Sequence, residues 1–266
     1  MPTAESTVTV HRDVPYREVA GETLRLDIYE PTDRKGPLPV AVLVRGGGFV
    51  IGDKGEFARH AIDFASDGFL AIEPQYRLAP EWPFPAALSD VRAAVEWVRD
   101  EGKQYDADPD RLAGVGHSAG ANLVALAAAT ANGAEEADAS PLAAVVGYSG
   151  IYDFRAFDTA EFDPDEPDIH AQYLGGTIKE VPETYERASP AARIDDSTPP
   201  TLLLHGADDD VLPAAQSEQF ADALAPVTDV EFDELPTDHG LPFHGATYDR
   251  VYERTRTFLH EHGLDG

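Results

Sequence analysis

The chain has 266 residues, with 49 Asp and Glu against 20 Lys and Arg, a net charge of −29 and no cysteine. Without cysteine there is no disulfide framework, no thiolate metal site and no cysteine nucleophile; the acidic balance opposes binding to nucleic acid or to an anionic membrane. The N-terminus shows no secretory leader pattern and no apolar run approaches the ~18–20 residues of a membrane span, so the expected location is the cytoplasm.

Strand-length apolar runs alternate with segments of helical period, the pattern of a mostly parallel sheet covered by helices on both faces. Residues 7–11 and 24–29 bracket Gly21 and read as an N-terminal β-hairpin. Buried strands are expected over 38–44, 69–73, 112–116, 143–148 and 200–205, with a more exposed strand at 230–235. Helices are expected near 57–66, 86–99, 119–131, 214–225 and 246–262. No internal repeat or long linker divides the chain, so residues 1–266 read as a single α/β domain. Residues 151–190 break the alternation with an acidic stretch containing Pro164, Pro167, Gly175 and Gly176. Such an insertion is either a small cap over a site or a plain surface excursion, and a cap is the expectation.

The strongest chemical signal is Gly116-His117-Ser118-Ala119-Gly120, entered from a β-rich run and left into an alanine-rich helix. A turn this sharp presents the serine hydroxyl above the sheet, and the helix that follows aims its first N–H groups at the same place. Ser118 is therefore the candidate nucleophile, while His117 reads as a shaping residue. A hydroxyl needs a base, itself oriented by an acid, and in a strand–turn–helix frame of this kind both follow on later loops. Asp208, Asp209 and Asp210 follow the strand at 200–205; position relative to the strand end and Pro213 favours Asp209, with its neighbours as alternatives. The plain alternative for all three is a capping cluster before the next helix. His239 lies 30 residues after Asp209, in a loop just beyond a strand, and is the candidate base. His244 is its competitor, and His260 and His262 are expected on the solvent face of the last helix. Arg45-Gly46-Gly47-Gly48-Phe49 follows the first central strand. Consecutive glycines let backbone N–H groups turn toward a carbonyl oxygen, where preorganised donors stabilise the transition state.

Taken together, these residues resemble the hormone-sensitive-lipase-like and acetylesterase-like branches of the α/β-hydrolases, with the short N-terminus closer to compact, feruloyl-esterase-like members. The resemblance extends through Asp27-Ile28-Tyr29-Glu30-Pro31, Tyr76-Arg77-Leu78-Ala79-Pro80, Tyr148-Ser149-Gly150 and Tyr173-Leu174-Gly175-Gly176. It implies an α/β-hydrolase fold and a serine carboxylesterase acting on a small-molecule ester, with no metal or organic cofactor. It also implies oxyanion N–H donors at Gly47, Gly48 and Ala119, and structural roles for Arg77 and Asp90. An arylformamidase or amidase on the same scaffold, and a non-catalytic binding protein with a decayed pocket, are the alternatives. Related chains usually carry histidine where this one has Arg45, a larger and permanently charged group that must find a carboxylate or solvent. Arg45 and Phe49, which flank the glycine run, are the candidate substrate contacts, with loop shaping the competing role for Arg45. The scattered acidic residues resemble those of proteins from halophilic organisms, where ~1 M salt shortens the Debye length to about 3 Å. The sequence leaves a homodimer open.

Overall fold

The computed structural model describes residues 7–33, 36–129, 142–156 and 168–266. Strand β1 (Val8–Val19) and strand β2 (Glu22–Pro31) form the expected hairpin. Ala20 and Gly21 between them both have positive φ, 53° and 87°, the backbone that a two-residue turn needs to match the twist of its strands. Six further strands follow: β3 (Leu38–Val44), β4 (Leu70–Pro74), β5 (Ala107–His117), β6 (Ala144–Tyr148), β7 (Thr201–Gly206) and β8 (Val230–Leu235). The sheet order is β1-β2-β4-β3-β5-β6-β7-β8, antiparallel across β1, β2 and β4 and parallel from β4 to β8.

The main helices are α1 (Ala58–Ser66), α2 (Ala86–Glu101) and α3 (Ala119–Ala129), then α4 (Ile169–Leu174), α5 (Pro182–Arg187), α6 (Ala215–Leu224) and α7 (Gly245–Glu261). Strand β3 shows why the sheet has two covered faces. Leu38, Val40, Val42 and Val44 enter one core with residues of α2, α3 and α6, while Ala41 and Leu43 enter the other with residues of α1 and α7. Alternate side chains of a strand point to opposite faces, so a run that is apolar throughout requires a layer on each side. Strand β8, at the sheet edge, is half-buried over most of its length, as expected from its mixed composition.

The chain leaves β3 for β4 on one side and returns to β5 on the other. That reversal opens a crevice beyond the carboxyl ends of β3 and β5, the usual place for a ligand in such sheets. The glycine run follows β3, and Ser118 follows β5.

Three boundaries differ from expectation. Strand β1 runs on to Val19 because irregular pairing around Asp13, whose φ is 58°, absorbs the break after His11, and Pro15 is tolerated on an edge strand. Strand β5 starts at Ala107, which pairs with Leu38, although Asp108 and Asp110 look like a loop in the sequence. Helices α4 and α5, six residues each, are too short to show a helical period. Both lie in the expected cap at 151–190, of which residues 157–167 are outside the described ones, as are residues 130–131 of the helix expected at 119–131.

Candidate active site

Ser118 occupies the single residue between β5 and α3, with φ of 54°. A side-chain-bearing residue in this left-handed region stores about 1–3 kcal/mol of strain and persists only where its surroundings dictate it. Those surroundings are glycines. A Cβ at Gly116 would lie 2.3 Å from the Gly120 carbonyl oxygen, and one at Gly120 would lie 1.9 Å from that of Val44. Both positions must therefore lack a side chain for the turn to close against β3. The Ser118 N–H donates to the Tyr148 carbonyl at 2.8 Å, which fixes the turn to the neighbouring strand.

The acid loop follows β7. Of the three aspartates, Asp208 and Asp210 are exposed, whereas the Asp209 carboxylate is enclosed and accepts from His239 Nδ1 at 2.7 Å. Its other oxygen accepts the N–H groups of Val211 and Leu212 at 2.9 and 2.8 Å. Burial works against ionisation of Asp209, but the hydrogen bonds from His205, His239 and Leu212 outweigh it and hold the carboxyl well below the usual carboxylate range. No aspartate side chain caps α6. With Asp209 ionised, the proton of His239 resides on Nδ1 and Nε2 is left as an acceptor.

His117 links this loop to the serine. Its Nε2–H donates to the His239 carbonyl at 2.9 Å, and burial lowers its imidazole to about 4, so it stays neutral and holds the His239 loop beside Ser118. His244 instead precedes α7 and pairs with Asp238 at 3.2 Å. His260 is exposed as expected, but the His262 ring packs on Phe258 with centroids 4.3 Å apart.

The glycine loop closes the third side. A Cβ on Gly46 would stand 3.1 Å from Ser118 Cβ, so this loop abuts the serine. Gly47, Gly48 and Phe49 all have positive φ, at 100°, 56° and 66°. Among the described residues, none accepts a hydrogen bond from the backbone N–H of Gly47, Gly48 or Ala119, leaving three donors near the serine. The Phe49 ring, expected to touch substrate, is only 1% exposed and stacks on Tyr173 of α4 at 3.7 Å. It anchors the loop to α4.

Arg45 also departs from expectation. The guanidinium reaches neither solvent nor a carboxylate: it is 1% exposed, and its Nη1 donates to the carbonyls of Gly46 and Ile51 at 2.8 and 2.7 Å and to the Tyr76 hydroxyl at 3.1 Å. Its contacts are with its own loop and with Tyr76. Arg77 and Asp90 pair through two contacts of 2.8 and 2.9 Å, the structural role the resemblance implies.

Two contributors were not legible in the sequence. His205 Nε2 lies 3.1 Å from Asp209 Oδ2 and its Nδ1 is 2.7 Å from Ser217 Oγ, all of it buried. Tyr76 braces the glycine loop. The strand-end position of His205, four residues before Asp209, was the one available signal. Among the described residues, no three or more His, Cys, Asp or Glu converge as a metal ion would require, and no helix is long and apolar enough to cross a membrane.

The BD-FAE family profile matches residues 26–224. The chain belongs to the BD-FAE family. Relatives of this BD-FAE chain include esterase LipQ of Mycobacterium tuberculosis (strain ATCC 25618 / H37Rv), 33% identical over 240 residues, covering 85% of the chain and 56% of LipQ. Esterase LipC of the same organism is 32% identical over 227 residues, 81% of the chain and 56% of LipC. The BD-FAE chain thus spans about half the length of these curated relatives. Among solved structures, a truncated carbohydrate esterase from gut microbiota superposes with a TM-score of 0.82 at 23% identity, covering 99% of both chains. Thermogutta terrifontis esterase 2 superposes at 0.78 with 23% identity, over 99% of the chain and 97% of that esterase. The architecture is the α/β-hydrolase fold.

Proposed function

We propose that this chain is a serine carboxylesterase that hydrolyses small or medium carboxylic esters through an acyl-enzyme. The observation that carries the reading is the 2.7 Å bond between His239 Nδ1 and the ionised Asp209, on a loop tied to the residue beside Ser118. The similarity to LipQ and LipC, both esterases, supports it.

In this reaction, His239 Nε2 takes the Ser118 proton as Oγ bonds to the ester carbonyl carbon and the C=O pair moves onto oxygen. The oxyanion rests against the N–H groups of Gly47, Gly48 and Ala119. Collapse breaks the bond to the alkoxide, which leaves as alcohol with the proton from His239. Water then attacks the acyl-enzyme, giving its proton to Nε2; the acid departs and Ser118 recovers its proton. Asp209 holds the imidazole ring and stabilises its charged form. The described part of the 151–190 stretch acts as a small cap, a role supported by the Phe49–Tyr173 stack and by Ile169, whose Cδ1 would meet a Cβ on Gly48 at 2.9 Å. The acidic composition suits a salt-rich cytoplasm.

Ser118→Ala is expected to lower p-nitrophenyl acetate hydrolysis by about 10³-fold or more. Retention of most of the activity would overturn the reading.

A further inference from the structure

Arg45 is a buried cation whose hydrogen-bond acceptors are all neutral: two loop carbonyls and a phenol. Its Nε has no partner, and the guanidinium lies over the Tyr76 ring, 4.1 Å from the centroid. Gly52 leaves the space it occupies, since a Cβ there would come 2.7 Å from Nη1. A buried guanidinium held without a carboxylate is expensive to keep unless its field is used.

The contact with Gly46 shows where that field goes. In a planar trans peptide, the carbonyl and the following N–H point in opposite directions. The Gly46 carbonyl faces Arg45 Nη1 at 2.8 Å and the Tyr76 hydroxyl at 2.9 Å, so the Gly47 N–H of the same peptide faces away from them. Burial pushes the Tyr76 phenol up to about 12, so it keeps the proton it donates. The next carbonyl, that of Gly47, accepts from Val50 and Ile51 at 3.0 and 3.1 Å and directs the Gly48 N–H in the same manner. A cation on a peptide oxygen withdraws electron density from the unit and makes its N–H a stronger donor.

We infer that Arg45 is a positioning residue of the oxyanion site, acting through the Gly46–Gly47 peptide to orient and polarise the Gly47 N–H toward charge developing on the substrate oxygen. The inference rests on the esterase reading of Ser118. Its effect belongs to the transition state, because the ester oxygen carries little charge before Ser118 attacks. Arg45 therefore alters kcat and leaves KM nearly untouched.

Three variants separate charge from shape: Arg45→Lys keeps the cation, Arg45→Gln keeps neutral donors, and Arg45→Met keeps neither. Each is assayed for kcat and KM on p-nitrophenyl acetate, for affinity toward a phenylboronic acid and for Tm. The expected result is a kcat about 10- to 100-fold lower in the Gln and Met variants, KM within about twofold and boronate affinity weakened in step, with Lys recovering most of the loss. Wild-type kcat in Arg45→Gln, or an Arg45→Lys no better than Arg45→Met, overturns the inference. Should the neutral variants not fold, Arg45→Lys decides alone. A kcat within about fivefold of wild type with boronate affinity kept supports the inference, and a loss beyond about 100-fold overturns it. Failure of the esterase reading itself would show separately, as a wild-type chain that neither turns over the ester nor labels at Ser118.

Discussion

His205 Nε2 lies 3.1 Å from Asp209 Oδ2, the same oxygen that accepts His239 Nδ1. The His205 Nε2–H itself donates to the Leu212 carbonyl at 3.0 Å. The carboxylate thus takes one imidazole N–H on that oxygen, with the His205 ring packed beside it, and two backbone N–H groups on the other, which hold its plane. His205→Leu is expected to lower kcat about tenfold and stability by about 1–3 kcal/mol, because Asp209, Ser217 and the Leu212 carbonyl each lose a partner. His205→Gln, whose amide nitrogen can take the place of Nε2, should recover part of both. Unchanged kcat in the Leu variant would argue against this role, and steady-state kinetics with thermal melts decide it.

The acid loop makes a sharper distinction. Asp209→Asn keeps the size of the side chain but removes the charge that orients His239, so kcat/KM should fall by about 10³- to 10⁴-fold. Asp208→Asn and Asp210→Asn alter exposed groups and should stay within about twofold of wild type. Parallel kinetics on the three variants provide the check.

Acid should weaken the fold in a defined window. Burial lowers His60 to about 3 and His117 to about 4, so both remain neutral in the folded chain while the unfolded chain protonates them below about 6.5. Between about pH 6.5 and 4 the unfolded state binds more protons, and stability falls as pH falls, by up to about 1.4 kcal/mol per unit for each histidine. Asp209, whose folded-state carboxyl is shifted downward, acts in the same direction, its contribution beginning to be lost at the acid end of the window as the unfolded carboxyl protonates. Glu73, raised by burial, works in the opposite sense near the acid end of the window. Urea unfolding at pH 7.5, 6 and 5 measures the slope; flat or rising stability toward acid would contradict it.

Salt provides an independent lever. A net charge of −29 repels itself at low ionic strength, and screening shortens that repulsion as salt rises. Tm should climb between about 0.1 M and 3 M KCl, most steeply below ~1 M where the Debye length changes fastest. A melt unaffected by KCl would remove the basis for assigning the chain to a salt-rich setting.

What the sequence made legible was local. Gly116 to Gly120 announces a strand–turn–helix because the residues that permit it stand within five positions, and β3 reads as a two-faced central strand from its unbroken apolar run. Position relative to the strand end favours Asp209, but chemistry alone does not separate it from its neighbours, because what encloses it is the arrival of His239 from another loop and of His205 from β7. Arg45 was expected to need a carboxylate or water. It finds carbonyls supplied by the curl of its own loop and a ring from Tyr76, contacts that no spacing rule reveals. Phe49 looked like a substrate contact because it ends the glycine run, and only the fold of residues 168–174 shows that Tyr173 covers it.

The central claim is that Ser118 is the nucleophile, and covalent labelling tests it most directly. Wild-type protein treated with a fluorophosphonate and digested for mass spectrometry should carry one adduct, on the peptide containing Ser118, with esterase activity lost in proportion to labelling. An unlabelled Ser118 in a chain that still hydrolyses p-nitrophenyl acetate would contradict it.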